Sequence, residues 1–507
     1  MVRFRVIVAL VVASVLVAAC GTSPTSPGSS PAGSEAPQIP EAPQQFQDLI
    51  AATKPADKQY DGVEVSVVVD SIQSGYPWFW LAPAIEKAYN IKIKVIATPF
   101  ETFYQAIQND IVSGTGAYDI LSYPPRFLGD LASAGNILDL TDYAAKWDPE
   151  MGDVYPVYQL YTQFDDKLFA LPIDGDRLEL YYRKDLFSNA DEQAVFEAQY
   201  GYPLAAPETW DQYLDVAKFF KRDAGATLAG ETLADPFSGI AEITKLPDNF
   251  DWFLNRFASH DGIYFDDQMH PQLDTDAGRS ALQNFVDAVK YGPSDILNFE
   301  YVESFDAFVQ GQTAMCIQWT DVAKIAEDPN TSKIVGKTGY AQVPGVEQPD
   351  GSIVHRSTLA YNRVNSISKL AKNPEAAYRV MQFMNQPDVS LLYVTEPSAG
   401  MDPYRKSHYA DPTKWVQQWP ELSAYIDNNK QSLTNGYPEL TMPGANRYNE
   451  ALGTHIAQAL AGQESVSEAL KNATTEWESI TDELGRDAQI THWLAQLKGW
   501  EEVGLID

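Results

Sequence analysis

The 507-residue chain carries 69 acidic side chains against 36 Lys and Arg, giving a formal net charge of −33, and 12% of it is aromatic. Such acidity excludes nucleic acid as a partner, because the phosphates would be repelled, and suits a soluble exported protein. The length is too great for one typical domain and comfortable for two.

In chain order, the sequence opens on Arg3 and Arg5, then an apolar run from Val6 to Ala19 that is too short to span a bilayer. Small residues Val17, Ala18 and Ala19 stand directly before Cys20. Basic start, apolar run and "VAAC" together resemble a bacterial lipoprotein signal. The resemblance implies a signal peptide over residues 1–19 and a lipidated Cys20 as the first mature residue. Acyl chains contribute about 0.8 kcal/mol per buried methylene, and two or more hold a protein stably on a membrane. An ordinary secretory peptide with an incidental cysteine, or an uncleaved anchor, is the alternative. If Cys20 is lipidated, the remaining cysteine, Cys316 in "TAMCIQW", has no partner for a disulfide and reads as a buried strand residue. Residues 21–45 are rich in Pro, Ser and Gly and poor in large apolar residues. They cannot offset the entropy of ordering, so residues 20–59 are expected to form a flexible tether.

The body then alternates. "VEVSVVVD" (63–70) reads as a strand, "LAPAIEKAYN" (81–90) as a helix, "IKIKVIATP" (91–99) as a strand, "ETFYQAIQNDIVSG" (101–114) as a helix, and "YDILSYPP" (118–125) as a strand running into a proline loop. This order implies a parallel sheet covered by helices, with ligands bound beyond the carboxyl ends of the strands. Those ends carry Asp70 with "SIQSGYPWFW", Pro99-Phe100, and Tyr123-Pro124.

Further on, "APETWDQYLDVAKFF" (206–220) begins with Thr209 and Gln212 at capping-box spacing. "NPEAAYRVMQFMNQPD" (373–388) has Pro374 at a first helical position and is expected to stop before Pro387. Tyr448, Leu452, Ile456 and Leu460 recur every fourth residue, Gly462 breaks that helix, and "SVSE" (465–468) caps another that buries Val466, Leu470, Trp477 and Ile480. No internal repeat is present. Catalytic signatures are missing: there is no HExxH, no GxSxG and no Walker loop, and "FDDQMH" (265–270) lacks the glycine and closing Glu of a calcium loop. No metal and no cofactor is expected.

Five stretches resemble, in order, the extracellular solute-binding proteins of ABC importers, the family that includes maltose-binding protein. They are "YTQFDDKLFALPIDGDRLELYYRKDLF" (161–187), "PETWDQYLDVAKFF", "FVQGQTAMCIQWTD" (308–321), "YNRVNSISKLAKNPEAAYRVMQFMNQPD" (361–388) and "MPGANRYNEALGTHIAQALAGQESVSEALKNATTEWESI" (442–480). Residues 223–272 depart from the pattern. The resemblance implies an α/β, two-lobed periplasmic-binding-protein-like fold (type II), hinged, with crossing strands. Lobe 1 would comprise 60–172 and 343–397, and lobe 2 would comprise 173–342 and 398–507, with crossings near Ile173, Val343 and Pro397. It further implies a small-molecule solute in the interlobe cleft, ABC permease subunits as partners, a monomer, and a place at the outer face of the cell membrane or in the periplasm.

A sugar needs aromatic rings for its C–H faces and carboxylates, amides or Arg for its hydroxyls. Tyr76, Trp78 and Trp80 are placed in a proline-bearing loop just beyond the first strand, where they either line the cleft or pack beneath the loop. Asp174 and Asp176 flank a glycine in "PIDGD" and either contact ligand or cap a turn. Trp319 and Asp321 end the strand "TAMCIQWTD". Arg405 and Arg447 pair with hydroxyls, a carboxylate or surface acids. Trp252 and Arg256 lie one helical turn apart, with at least one of them in the core. Three functions remain open on these residues: capture of a sugar or oligosaccharide for an importer, glycoside hydrolysis with the same Trp and acid chemistry, or binding of a non-sugar solute such as a polyamine or peptide.

Overall fold

The computed structural model describes residues 39–55, 60–99 and 102–506. Cys20 and the expected signal peptide lie outside them, as does the first part of the expected tether. The later part of that tether is not loose chain: helix α1 occupies Gln44–Ala52. Its Phe46 is buried and packs on Trp80 with ring centroids 5.0 Å apart. Leu49 and Ile50 on the same face pack on the core beside it, and Lys87 Nζ donates to the Ile50 and Ala51 carbonyls at 2.8 and 3.0 Å.

The alternating start folds as expected. Strand β1 spans Val63–Asp70, α2 Tyr76–Tyr89, β2 Ile91–Thr98, α3 Phe103–Ser113 and β3 Ile120–Tyr123. The departure is at "GYPWFW", which is no loop: it forms the first turns of α2. Pro77 sits in the opening turn, where its missing N–H costs nothing. Trp78 and Trp80 are 0% and 2% exposed, and α2 closes on a left-handed Asn90.

After β4 (Leu171–Pro172) the chain crosses through residues 173–177 into β5 (Leu178–Arg183). Helix α4 (Trp210–Phe220) follows, capped by Thr209 Oγ1 accepting from the Gln212 amide at 3.3 Å. Then come β6 (Ser238–Ala241), α5 (Asn249–Ser259), α6 (Tyr301–Val309), β7 (Thr313–Trp319), α7 (Val322–Ala326) and β8 (Thr338–Ala341). The return runs through β9 (Ser357–Leu359) into β10 (Val364–Ile367) and α8 (Pro374–Met384). As expected, α8 stops before Pro387, where a further helix (Pro387–Val394) begins. Strand β11 (Gly436–Pro438) and helices α9 (Ala445–Leu460), α10 (Val466–Leu484) and α11 (Arg486–Glu502) complete the chain. As its spacing predicts, α9 buries Tyr448, Leu452, Ile456 and Leu460, and α10 opens on a full Ser465–Glu468 capping box.

Two sheets organise these elements. The first has the order β2-β1-β3-β10-β4, parallel among its first three strands and antiparallel at β10 and β4. The second has the order β6-β7-β5-β8, with β6 and β7 parallel and β5 and β8 antiparallel to their neighbours. All seven residues of β7 are buried. Cys316 lies among them as a core residue, its thiol pushed up by burial. A short parallel pair, β9 with β11, lies outside both sheets.

Candidate functional site

A cavity of ≈ 180 Å³ opens beyond the carboxyl ends of β1, β6 and β7. The first sheet contributes Ile72 to Ser74, directly after β1. The second contributes Ile243 and Lys245 to Asp248 after β6, and Trp319 and Asp321 at the end of β7. Asp176 enters from the crossing between the sheets, and Tyr361 and Arg363 from the return. The strand-end rule for parallel sheets thus holds for both sheets at one site.

Its aromatic wall centres on Trp319, which is 7% exposed. Tyr301, the first residue of α6, lies 5.6 Å away and Tyr361 5.8 Å away, centroid to centroid, while Trp252 backs the indole edge-on at 5.3 Å. The Trp319 indole N–H has no hydrogen-bond partner among the described residues. Tyr361 and Asn362 both take the left-handed backbone region, at φ 70° and 42°. Two consecutive non-glycine residues there are uncommon and strained. The Asn362 carboxamide offsets the strain by donating to the Asp176 carbonyl at 3.1 Å and the Leu359 carbonyl at 3.0 Å. The kink brings Tyr361 to the cavity, with Arg363 two residues on.

Arg363 lies over buried acids. Its guanidinium grips Asp70 from Nε and Nη2, both at 2.9 Å, and reaches Asp174 at 3.4 Å. Both nitrogens meet the same oxygen, Oδ2, while Oδ1 of Asp70 accepts from the Ser74 hydroxyl at 2.8 Å, so the carboxylate is held from two sides. Asp174 also accepts from the Gly175 and Asp402 amides at 2.9 and 2.7 Å. Asp402 accepts from the Thr320 hydroxyl at 2.7 Å and pairs with Lys324 at 3.4 Å. Asp174, Asp176 and Asp402 bring carboxylate oxygens within 4.8 Å of one another, a set that could hold a metal ion. Arg363 and Lys324 already supply positive charge there. Even so, burial and the neighbouring Asp174 and Asp402 push Asp176 well above the usual carboxylate range. Asp321 rises to about 7 through burial and Asp402, against the opposing pull of Lys324 and of the Tyr301 hydroxyl that donates to its Oδ2. The other oxygen of Asp321, Oδ1, is buried without a partner among the described residues.

Of the residues singled out in the sequence, Asp176, Trp319 and Asp321 line the cavity. Asp70 and Asp174 stand behind it and orient Arg363. The others are elsewhere. Trp78 and Trp80 belong to the core under α2, with the Trp80 indole donating to the Pro40 carbonyl at 3.0 Å and Tyr76 half-buried against it. Tyr123 is buried in β3, its hydroxyl 2.6 Å from that of Ser366. Arg405 is a buried brace that donates to the Glu150 and Pro149 carbonyls at 2.8 and 3.0 Å. Arg447 is a surface group paired with Glu483. Trp252 and Arg256 are both core, the latter paired with Glu242 at 2.9 Å between the Trp210 and Phe285 rings. Tyr301, Tyr361 and Arg363 were not singled out. The Asn in "YNRVN", a residue type that tolerates the left-handed region, is the one local signal for the kink.

Comparison with known proteins places this geometry. The family described as bacterial extracellular solute-binding protein matches residues 36–390. The mannitol-binding protein of Pseudomonas aeruginosa is 22% identical over 405 residues, covering 78% of this chain and 87% of that protein. Among solved structures, T. maritima MalE3 bound to maltose has a TM-score of 0.68 at 21% identity, covering 83% of this chain and all of that one. An ABC transporter solute-binding protein from Agrobacterium radiobacter K84 in complex with ribitol has a TM-score of 0.69 at 21% identity, covering 84% and 100%. At these identities the structures establish a shared two-lobed fold.

Proposed function

Because the chain belongs to the bacterial extracellular solute-binding protein family, we propose that it captures one monosaccharide or polyol in the cleft at Trp319 and delivers it to the membrane subunits of an ABC importer. The observation that carries this reading is the pairing of an aromatic wall with convergent polar groups: Trp319 and Tyr301 for C–H faces, and Asp176 and Asp321 for hydroxyls. The cavity of ≈ 180 Å³ is smaller than the roughly 300–1,000 Å³ of drug-sized sites. One ring or one open-chain polyol therefore fits better than an oligosaccharide. The mannitol-binding relative and the ribitol-bound neighbour support that size.

The same proposal includes the attachment read from the sequence: lipidated Cys20 holds a monomer to the outer face of the membrane. Two lobes, 60–172 with 343–397 and 173–342 with 398–507, close over the solute about the crossings. The family is one of binding proteins, and no turnover is proposed, since retention and release are all that delivery requires. A calorimetric and thermal-shift screen of hexitols, pentitols, hexoses and disaccharides tests the reading. One-to-one binding of a polyol or monosaccharide, recovered chemically unchanged, is expected. Failure of every polyhydroxylated solute to bind, or its conversion to product, would overturn it.

A further inference from the structure

The cleft is lined by five carboxylates, Asp176, Asp248, Glu300, Glu303 and Asp321, against two basic groups, Lys245 and Arg363. Most of this charge is already committed. Asp248 pairs with Arg126 at 3.3 Å, Glu300 with Lys245, and Glu303 accepts from the Glu300 amide as the far arm of a helix cap. Arg363 is spent on Asp70 and Asp174 behind the wall. Asp176 and Asp321 are left: 7% and 4% exposed, on the lining, and in no ion pair with a basic side chain among the described residues.

We propose, building on the sugar-or-polyol reading above, that the ligand is an amino-polyol: a molecule of one-sugar size whose protonated amine sits against Asp321 and Asp176. Arg363 and Lys324 offset only part of the charge that Asp70, Asp174, Asp176, Asp321 and Asp402 bring together out of water, and a bound cation lifts the remaining cost where a neutral hydroxyl cannot. The surrounding rings fit the same occupant, since the faces of Trp319 and Tyr301 attract an ammonium as well as C–H groups, while Tyr361 already carries the Arg126 and Arg363 guanidinium groups. The unmatched groups fit it too. Asp321 Oδ1 lacks a donor, which an ammonium supplies, and Trp319 Nε1 lacks an acceptor, which a hydroxyl supplies. A ligand carrying both answers both; a bare polyamine leaves the indole unmatched.

The test is calorimetry on the full chain at pH 7.5 with matched pairs: glucamine against sorbitol, glucosamine against glucose, galactosamine against galactose, and N-acetylglucosamine and spermidine as controls. At least one amine should bind tenfold or more tightly than its hydroxyl partner. N-acetylation should abolish that gain, and Asp321→Asn should reduce it severalfold. The N-acetyl arm needs only the wild-type protein and so decides the matter even if the variant folds poorly. Neutral members binding as tightly as their amines would overturn the inference and leave the polyol reading standing. Binding of spermidine alone, or of nothing in the panel, would overturn the inference, and the polyol reading falls with it only when the wider screen of hexitols, pentitols, hexoses and disaccharides fails as well.

Discussion

Trp319 ends a strand in which every residue is buried, so its ring is held by β7 and by Trp252 behind it. Replacing it by Ala removes a stacking surface worth about 0.5–1.5 kcal/mol beyond its buried area. Trp319→Ala is therefore expected to weaken solute binding tenfold or more in calorimetry; unchanged affinity in a folded variant would remove Trp319 from the site. Asp321 yields a prediction in pH. It faces Asp402, Asp174 and Lys324 and the Tyr301 hydroxyl, with Asp176 on the same cavity lining, and its value is raised from 3.8 to about 7. Such an acid keeps its proton in the folded state after the unfolded chain has lost it. Its contribution to stability is complete below the unfolded value and is lost as pH rises toward about 7. Asn cannot ionise, so Asp321→Asn should gain melting temperature relative to wild type between pH 5 and pH 8. An offset that stays constant across that range would refute the assignment. Trp319 and Asp321 were legible in the sequence because an apolar run fixes where its strand ends. The stretch that holds Trp78 and Trp80 was misread as a loop, because Pro77 signals a loop and a helix start equally well; of the two placements left open for the rings, packing in the core is the one found. Arg363 was illegible because its meaning lies in Asp70, 293 residues away.

Among elements, the crossing 173–177 depends on close approach. A Cβ on Gly175 would meet the Pro403 carbonyl oxygen at 2.3 Å and its carbon at 2.7 Å. The sequence suggests a tight-turn glycine here; backbone contact is what requires it. Gly175→Ala should cost about 1–3 kcal/mol of stability in urea unfolding and, by displacing Asp174 and Asp176, weaken binding as well. Loss of neither would show that the segment yields freely. A second brace is Arg126, in the turn after β3. It pairs with Asp248 at 3.3 Å, Asp251 on α5 at 3.8 Å and Glu439 after β11 at 3.1 Å, between the rings of Phe250 and Tyr361. Arg126→Leu strands three buried acids, and a loss of about 3–5 kcal/mol is expected from denaturation curves. Strands with continuous β-branched runs, and helices with a fourth-residue repeat, were legible to within a few residues. Helix α1 was missed because residues 20–59 were read as one Pro-, Ser- and Gly-rich tether, although Phe46, Leu49 and Ile50 recur at helical spacing.

Across the molecule, each sheet draws strands from separated stretches of chain, β10 joining β1 to β3 and β8 joining β5 to β7. That the chain alternates between two α/β halves was legible from the order of strands and helices together with the family-like segments. How far apart the halves stand was not, because no local pattern encodes it. A solute held between them contacts both only when they are close, and it shifts the population by no more than its preference for that state. Capture between the two halves brings them together around the solute, and small-angle scattering at proven saturation measures that closure. The radius of gyration should fall when the solute identified by calorimetry is added. A scattering profile identical with and without saturating solute would contradict capture by closure.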